Sequence, residues 1–504
     1  MALRTADWMR VVAVLVAVGL ASLDLSIVIL AYDTIMGSMS ATLDEISWIS
    51  TAYVLGGIGT MPLNGWLHAR LGRRRVFLIA IAVFTAGSAA CALSTNVVAL
   101  TLARTLQGAG GGLLMPTGLA ILLATFPAEK RARAQTLYGY GFMLGPLIGL
   151  FLAGAVLTVS TWPVLFAINV PLGVLAFVLV ALSVDDAPAV AAAPFQPLTL
   201  LAMVVGLFAL QDVLQRGEAA GWFASGEIVF ASAVAAVGLT AFVLLELSTA
   251  RPMVDLQLLR IRTFWTVNAN AFLFAIGAVG VPFLLTAFLQ DVLGYDPWTT
   301  SVALAPTVIA TIGGMALGRP LAVRLSPYAT MALGFALMAA GCWWLASLRP
   351  ESTLADVAAA RALLGFGNGI MFVPMGLVTV ADVPLERMPA ATGLIGIDRQ
   401  IASAFSIAIA ATAFEHALVV ERAHVAERVS RNAPAVTSFE RAPRPHGSPT
   451  GTALLRAADE REAQNDAYAQ AFRAGAFACG AAAIFAFAPY PLRARRRTQT
   501  ANAG

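Results

Sequence analysis

The chain has 504 residues, of which 59% are hydrophobic and only 12% charged, with a formal net charge of +4. Soluble domains carry roughly 25% charged residues, so the composition excludes a water-soluble fold and implies a polytopic, all-α membrane protein. Lys130 is the only lysine. The basic residues fall in short clusters between apolar runs, which excludes nucleic acid as a partner.

A bilayer core takes about 20 apolar residues per helix. On that measure fourteen spans are predicted, near 11–32, 46–67, 76–94, 97–124, 133–157, 163–183, 198–215, 226–247, 264–288, 299–323, 328–348, 355–381, 391–415 and 470–492. The first is long enough to cross, is followed by others and keeps its charge in the middle, unlike a cleaved signal peptide. The last is rich in alanine and carries Arg473 near its start. An even count puts both termini on one side.

Arginine placement says which side. With the N-terminus inside, the inner segments hold Arg4, Arg10, Arg70, Arg73, Arg74, Arg75, Lys130, Arg131, Arg133, Arg251, Arg260, Arg262, Arg319, Arg324, Arg387, Arg493, Arg495, Arg496 and Arg497. The short outer loops hold only Arg216 and Arg349. This positive-inside pattern predicts a multi-pass protein of the cytoplasmic (inner) membrane with both termini cytoplasmic. The connection over about 416–469 is polar and rich in proline, with a helix-like stretch from Thr452, and reads as an external hairpin or cap.

Within the first span Asp24 is the only charge between Val11 and Ala31. An acid at a helix centre costs about 2.5–3.5 kcal/mol on insertion scales and faces a bundle interior or a water path. Asp24 is therefore a candidate proton-coupling group, the alternative being a structural carboxylate bonded to a neighbouring helix. Cys91, Cys342 and Cys479 lie in apolar stretches without paired spacing and read as packing residues, not a disulfide or metal site. Asp212, Glu246 and Glu415 lie near span ends, where solvated or interfacial roles are expected.

The chain repeats itself. Arg104 in the fourth span and Arg361 in the twelfth are each followed by glycine at +4, +6 and +8, and Pro116-Thr117-Gly118 answers Pro374-Met375-Gly376. Two such halves put a substrate path at their interface. The predicted organisation is a six-helix bundle over 1–183, two extra spans with linkers over 184–263, and a second six-helix bundle over 264–504.

Three motifs follow the spans. Gly65-Trp66-Leu67-His68-Ala69-Arg70-Leu71-Gly72-Arg73-Arg74-Arg75 joins the second span to the third, its glycines permitting a tight turn and its arginines able to pair at a cytoplasmic gate. Arg104, Gln107 and Gly108 give Arg-x-x-Gln-Gly; a guanidinium there stays charged and would hold a nearby carboxylate ionised. In the fifth span Gly141, Gly145, Pro146 and Gly149 give Gly-x-x-x-Gly-Pro-x-x-Gly, which lets helices approach closely and bends the helix.

These motifs resemble those of the major facilitator superfamily. The start of the sixth span, Trp162-Pro163-Val164-Leu165-Phe166-Ala167-Ile168-Asn169-Val170-Pro171-Leu172-Gly173, and Leu23-Asp24-Leu25-Ser26-Ile27-Val28 resemble its fourteen-span, EmrB/QacA-like drug/proton antiporters. So do Gln290 and Gly294 before the tenth span and Arg399-Gln400 in the thirteenth. The gate loop departs from the family pattern at Ala69, where an acid is usual, and Leu150 stands where the antiporter motif has glycine.

The resemblance implies export of lipophilic or cationic drugs driven by a proton gradient, with no other cofactor. It assigns Asp24 and Arg104 to proton coupling, Gly65, Arg70, Gly72, Arg73 and Arg74 to the gate, and Gly141, Gly145, Pro146 and Gly149 to antiport. Gln107, Arg361, Asp398 and Arg399 are cavity candidates; Asp398 and Arg399 are either an ion pair on the cavity wall or residues of the membrane edge. Relatives in double-membrane bacteria imply a periplasmic adaptor and an outer-membrane channel as partners. A dedicated exporter of one secondary metabolite is the alternative, and a non-transporting receptor or scaffold a more distant one. No Ser/His/Asp set, metal cluster or phosphate loop suggests an enzyme; His68, His416, His424 and His446 lie at or beyond span ends.

Overall fold

The computed structural model describes residues 5–41, 43–127, 130–185, 194–218, 220–250, 252–379, 381–431 and 451–486. Arg4, Asp186, Arg251, the prolines and His446 of the long connection, and Arg493 to Arg497 lie outside the described residues. Apolar runs without water can satisfy their backbone only within the helix itself, and among the described residues the chain is helix and connecting turns.

In chain order the helices are α1 Thr5–Met39, α2 Leu43–Thr60, α3 Asn64–Leu71, α4 Arg73–Ala92, α5 Val97–Thr125 and α6 Arg131–Val159. They continue with α7 Pro163–Ala167, α8 Asn169–Ser183, α9 Pro197–Arg216, α10 Gly226–Ser248, α11 Arg262–Ala275 and α12 Val281–Asp291. The last five are α13 Pro297–Arg324, α14 Pro327–Leu345, α15 Leu354–Thr379, α16 Met388–Arg431 and α17 Gly451–Phe485. Twelve helical stretches among the described residues are long and apolar enough to cross a membrane. The second predicted span and the described part of the last are helical but fall short on that measure. A 3-10 turn over Met61–Leu63 separates α2 from α3, and the apolar part of α17 begins only after Arg473.

Two breaks matter for the site. A five-residue π-helix over Ile276–Gly280 joins α11 to α12 in the ninth span. Gly72, at φ +80°, makes the turn from α3 into α4, a conformation glycine adopts without penalty. Side chains close the N-termini of α5 and α13: Asn96 accepts from the Ala99 N–H at 2.9 Å, and Asp296 from those of Trp298 and Thr299 at 2.9 and 3.1 Å.

Helices α1 to α8 pack around one core, with α1 on α6, α2 and α4 on α5, and α8 on α1 and α4. Helices α11 to α17 form the other, with α13 and α14 on α15 and α17 against α14 and α16. The extra pair α9 and α10 packs on itself and rests on α2 and α16, where Ile58, Met203, Leu207 and Phe242 are buried together. The halves meet where α6 touches α13 and α15, and where α16 touches α3 and α5. The connection expected at about 416–469 is helix at both described ends, since α16 runs on to Arg431 and α17 begins at Gly451. Arg422 pairs there with Glu460 at 2.5 Å. Glu246 corrects the interfacial expectation: it is buried, and it accepts the Met253 and Val254 N–H groups at 3.1 Å each, tying down the turn after α10.

Candidate functional site

Asp24 of α1 and Arg104 of α5 meet inside the N-terminal bundle. Arg104 Nη1 donates to Asp24 Oδ2 at 2.6 Å, and the two side chains are 1% and 0% exposed. The other carboxylate oxygen, Oδ1, accepts from Gln107 Nε2 at 2.8 Å and from Asn169 Nδ2 at 2.7 Å. Gln107 Nε2 also donates to Ser88 Oγ at 2.6 Å, and its Oε1 accepts from Arg104 Nη1 at 2.7 Å and from Cys91 Sγ at 3.6 Å. The guanidinium lies 4.3 Å from the centroid of the Tyr53 ring, a cation–π distance, and its Nε donates to the Ile49 carbonyl at 3.4 Å. One acid thus gathers α1, α2, α4, α5 and α8.

Such an arrangement is sensitive to charge. A buried pair is tolerated only while both members stay ionised and the remaining lone pairs are satisfied, so one proton on Asp24 removes the compensation for Arg104. Of the residues in the cluster, Asp24, Arg104 and Gln107 were sequence candidates. Tyr53, Ser88 and Asn169 were missed as site residues, although Asn169 stands in the Ile-Asn-Val-Pro stretch that carried the resemblance.

The glycines of α6 lie along α1 directly behind the acid. A Cβ on Gly145 would stand 2.7 Å from the Gly19 carbonyl and also strike Ser22 Oγ; one on Gly149 would stand 2.9 Å from the Leu23 carbonyl, and one on Gly141 2.9 Å from Leu15 Cδ2. Pro146 lies inside the same helix. Asp24 therefore sits on a helix packed closely against the glycine face of α6.

On its other face α6 borders a cavity of about 240 Å³ between the halves. Gln135 and Phe142 of α6, Asn268 of α11, Phe372 of α15, and Asp398 and Arg399 of α16 are among its walls. Asp398 and Arg399 thus face the cavity rather than the membrane edge. No ion pair joins them among the described residues; the Arg399 guanidinium instead lies 5.6 Å from the centroid of the Phe142 ring. Gln107 and Arg361 do not line the cavity. Gln107, three residues after Arg104, shares its face toward α1, and Arg361 is buried inside the C-terminal half with Nε and Nη1 lacking hydrogen-bond partners.

The Gly65–Arg75 segment, expected to form a gate, packs against the start of α16. A Cβ on Gly65 would stand 2.8 Å from Ala390 Cα at the start of α16. Beside it Asn64 Nδ2 donates to the Pro389 carbonyl at 2.8 Å, its Oδ1 accepts from Thr117 Oγ1 at 2.8 Å, and Thr117 Oγ1 lies 3.1 Å from His68 Nε2. Arg70 lies 5.4 Å from the Trp66 ring centroid, Arg74 Nη2 donates to the Ala181 carbonyl at 2.5 Å, and Arg73 is half-buried. Where the usual acid is replaced by Ala69, neutral hydrogen bonds from Asn64 join the halves.

The sequence profile described as Major Facilitator Superfamily matches residues 14–407. "Multidrug export protein EmrB" of Escherichia coli strain K12 is 30% identical over 416 residues, 81% of this chain and 80% of its own. The protein of that name in Haemophilus influenzae is 28% identical over 428 residues, 83% and 82% of the two chains. "Multidrug transporter protein MdtP" of Bacillus subtilis is 26% identical over 397 residues, 79% and 73%. Among solved structures, the human organic anion transporter MFSD10 matches with a TM-score of 0.63 at 12% identity, covering 96% of this chain and all of its own. The proton:xylose symporter XylE matches at the same TM-score and identity, over 97% of each chain; these two likenesses establish the fold. A profile spanning most of the chain, relatives aligned over most of their length and two helical halves around a cavity agree: this chain belongs to the major facilitator superfamily, in its EmrB-like branch.

Proposed function

We propose that the protein is a proton-coupled efflux antiporter of the cytoplasmic membrane, with fourteen spans and both ends inside, exporting lipophilic or cationic drugs and related small molecules by alternating access. The observation that carries this reading is the enclosed Asp24–Arg104 pair at 2.6 Å, set against the glycine seam of a helix whose other face borders the central cavity. A proton arriving on Asp24 neutralises the carboxylate, and Arg104 turns to the Gln107 oxygen, the Ile49 carbonyl and the Tyr53 ring. Helix α1, no longer held to α5 by charge, shifts along α6 and moves the cavity wall. Loss of the proton to the cytoplasm restores the pair and resets the wall. One charge crossing 100 mV supplies about 2.3 kcal/mol, enough to shift a two-state equilibrium several tens-fold. The relatives named multidrug export proteins support drugs as the substrate class.

A second reading, export of one dedicated metabolite by the same mechanism, draws on cavity size. About 240 Å³ is below the ≈ 300–1,000 Å³ of pockets that enclose drug-sized ligands.

Inverted vesicles acidified inside, with a pH-sensitive dye, test both readings. Lipophilic cations and neutral drugs are expected to collapse the gradient through wild type and not through Asp24→Asn. Proton-coupled export by a well-expressed Asp24→Asn protein would defeat the role of Asp24. A response confined to one compound class would select the second reading.

A further inference from the structure

Helix α6 begins, and α13 ends, on the arginine-rich side of the protein, and there the two halves leave an open groove of about 400 Å³ between them. Arg133, Thr136 and Tyr140 form one wall, Arg319 and Pro320 the other. Both arginines are exposed, and among the described residues neither has a carboxylate within ion-pair distance. Three other arginines of the same side are held by protein oxygens. Arg10 is held by Asp185 and the Ser183 carbonyl, Arg74 by the Ala181 carbonyl, and Arg387 by both oxygens of Asp255 at 2.5 and 2.6 Å.

The level of the groove is marked independently. The Arg133 guanidinium lies 5.2 Å from the centroid of the Trp8 ring, which is 38% exposed at the start of α1. An exposed tryptophan at a span's end sits at headgroup depth. Two unpaired guanidiniums at that depth, with a hydroxyl and a phenol beside them and apolar helix below, match a phosphodiester carrying acyl chains. Basic pockets between spans on the cytoplasmic side take anionic headgroups by this chemistry.

We propose that this groove binds the headgroup of an anionic phospholipid of the inner leaflet, Arg133 and Arg319 sharing its phosphate across the two halves. The lipid would then be a bridge between bundles, favouring the arrangement in which α6 and α13 are close.

The test is native mass spectrometry of the full chain in detergent, titrated with phosphatidylglycerol or phosphatidylcholine. Wild type is expected to retain one phosphatidylglycerol in preference to phosphatidylcholine. The double variant Arg133→Gln/Arg319→Gln should bind that lipid about thirty-fold more weakly, from the roughly five-fold each basic residue contributes at an anionic surface. Arg260→Gln, an exposed arginine of the same side outside the groove, should bind as wild type does. Equal retention of the two lipids by wild type, undiminished phosphatidylglycerol binding by the double variant, or an equal loss in Arg260→Gln would each overturn the proposal. So would displacement of the lipid by millimolar inorganic phosphate. The wild-type comparison decides even if the double variant does not fold.

Discussion

Replacing Asp24 by asparagine keeps the shape of the polar cluster and removes its negative charge. The amide oxygen can still accept from Gln107 and Asn169, but the amide nitrogen, a donor, then faces Arg104 Nη1 across the 2.6 Å now spanned by the ion pair. With both side chains essentially unexposed, the loss belongs to the class of broken buried pairs, about 3–5 kcal/mol. If the N-terminal bundle melts as a unit of roughly 150–250 residues, each kcal/mol lowers Tm by about 2–4 °C, so Tm should fall by roughly 6–20 °C. Adding Arg104→Gln removes the orphaned cation and should restore most of that fall. Thermal unfolding in detergent and vesicle transport, measured on wild type, both single variants and the double, separate two roles for the pair. Stability is expected to return in the double variant while transport stays absent, because no group remains to take the proton. A double variant that regained proton-coupled transport along with stability would show Asp24 to be structural and refute the reasoning.

Four further outcomes are expected. Gly145→Ala puts a methyl 2.7 Å from the Gly19 carbonyl and should destabilise by about 1–3 kcal/mol while reducing export, with Ser22→Ala only partly relieving it; unchanged export would remove the seam from the mechanism. Asn64→Ala removes the hydrogen bond that crosses to the Pro389 carbonyl, which keeps Thr392 Oγ1 as a donor at 3.0 Å; the loss of about 0.5–1.5 kcal/mol should speed maleimide labelling of a cysteine placed at Ala390. Asp398→Asn should lower export of cations about ten-fold relative to neutral compounds, read from competition in the vesicle assay, because one charge leaves the cavity wall and 1.4 kcal/mol is a ten-fold change. Arg422→Gln should change stability by at most about 1 kcal/mol, since its partner Glu460 is at the surface. The hydrogen bond from Arg422 holds the Glu460 carboxyl below its ordinary value of 4.5, so this contribution is present above that value and fades as pH falls through the depressed one; unfolding at pH 7 and pH 3 checks it.

Charge inside an apolar run is legible from sequence, which is why Asp24 and Arg104 stand out in it. That they touch was not, since 80 residues separate them and only packing chooses which helix faces which. Asn169 carries no charge, so nothing in its run betrays that its amide holds the acid. Arg361 shows where internal repetition misleads. The twelfth span repeats the arginine, but the ninth, over 262–291, offers no acid before Asp291, so the repeat reproduces the cation without its partner. The connection over about 416–469 reads as an external hairpin or cap with helix only from Thr452, because its first part is polar and rich in proline; polar residues also extend a helix beyond a membrane, and α16 continues to Arg431.

The carboxylate cluster and the central cavity share no residue, because α6 stands between them with its glycines turned to one and Gln135 and Phe142 to the other. Under the proposed mechanism, energy input and cargo recognition are therefore separate compartments joined by one moving part. Cargo would then need no particular charge to be compatible with the engine, and mutations in the cavity would widen or redirect the repertoire while leaving the motor intact. An inhibitor wedged between α1 and α6 would stall every cargo alike, whereas one lodged in the cavity would compete only with molecules of its own shape.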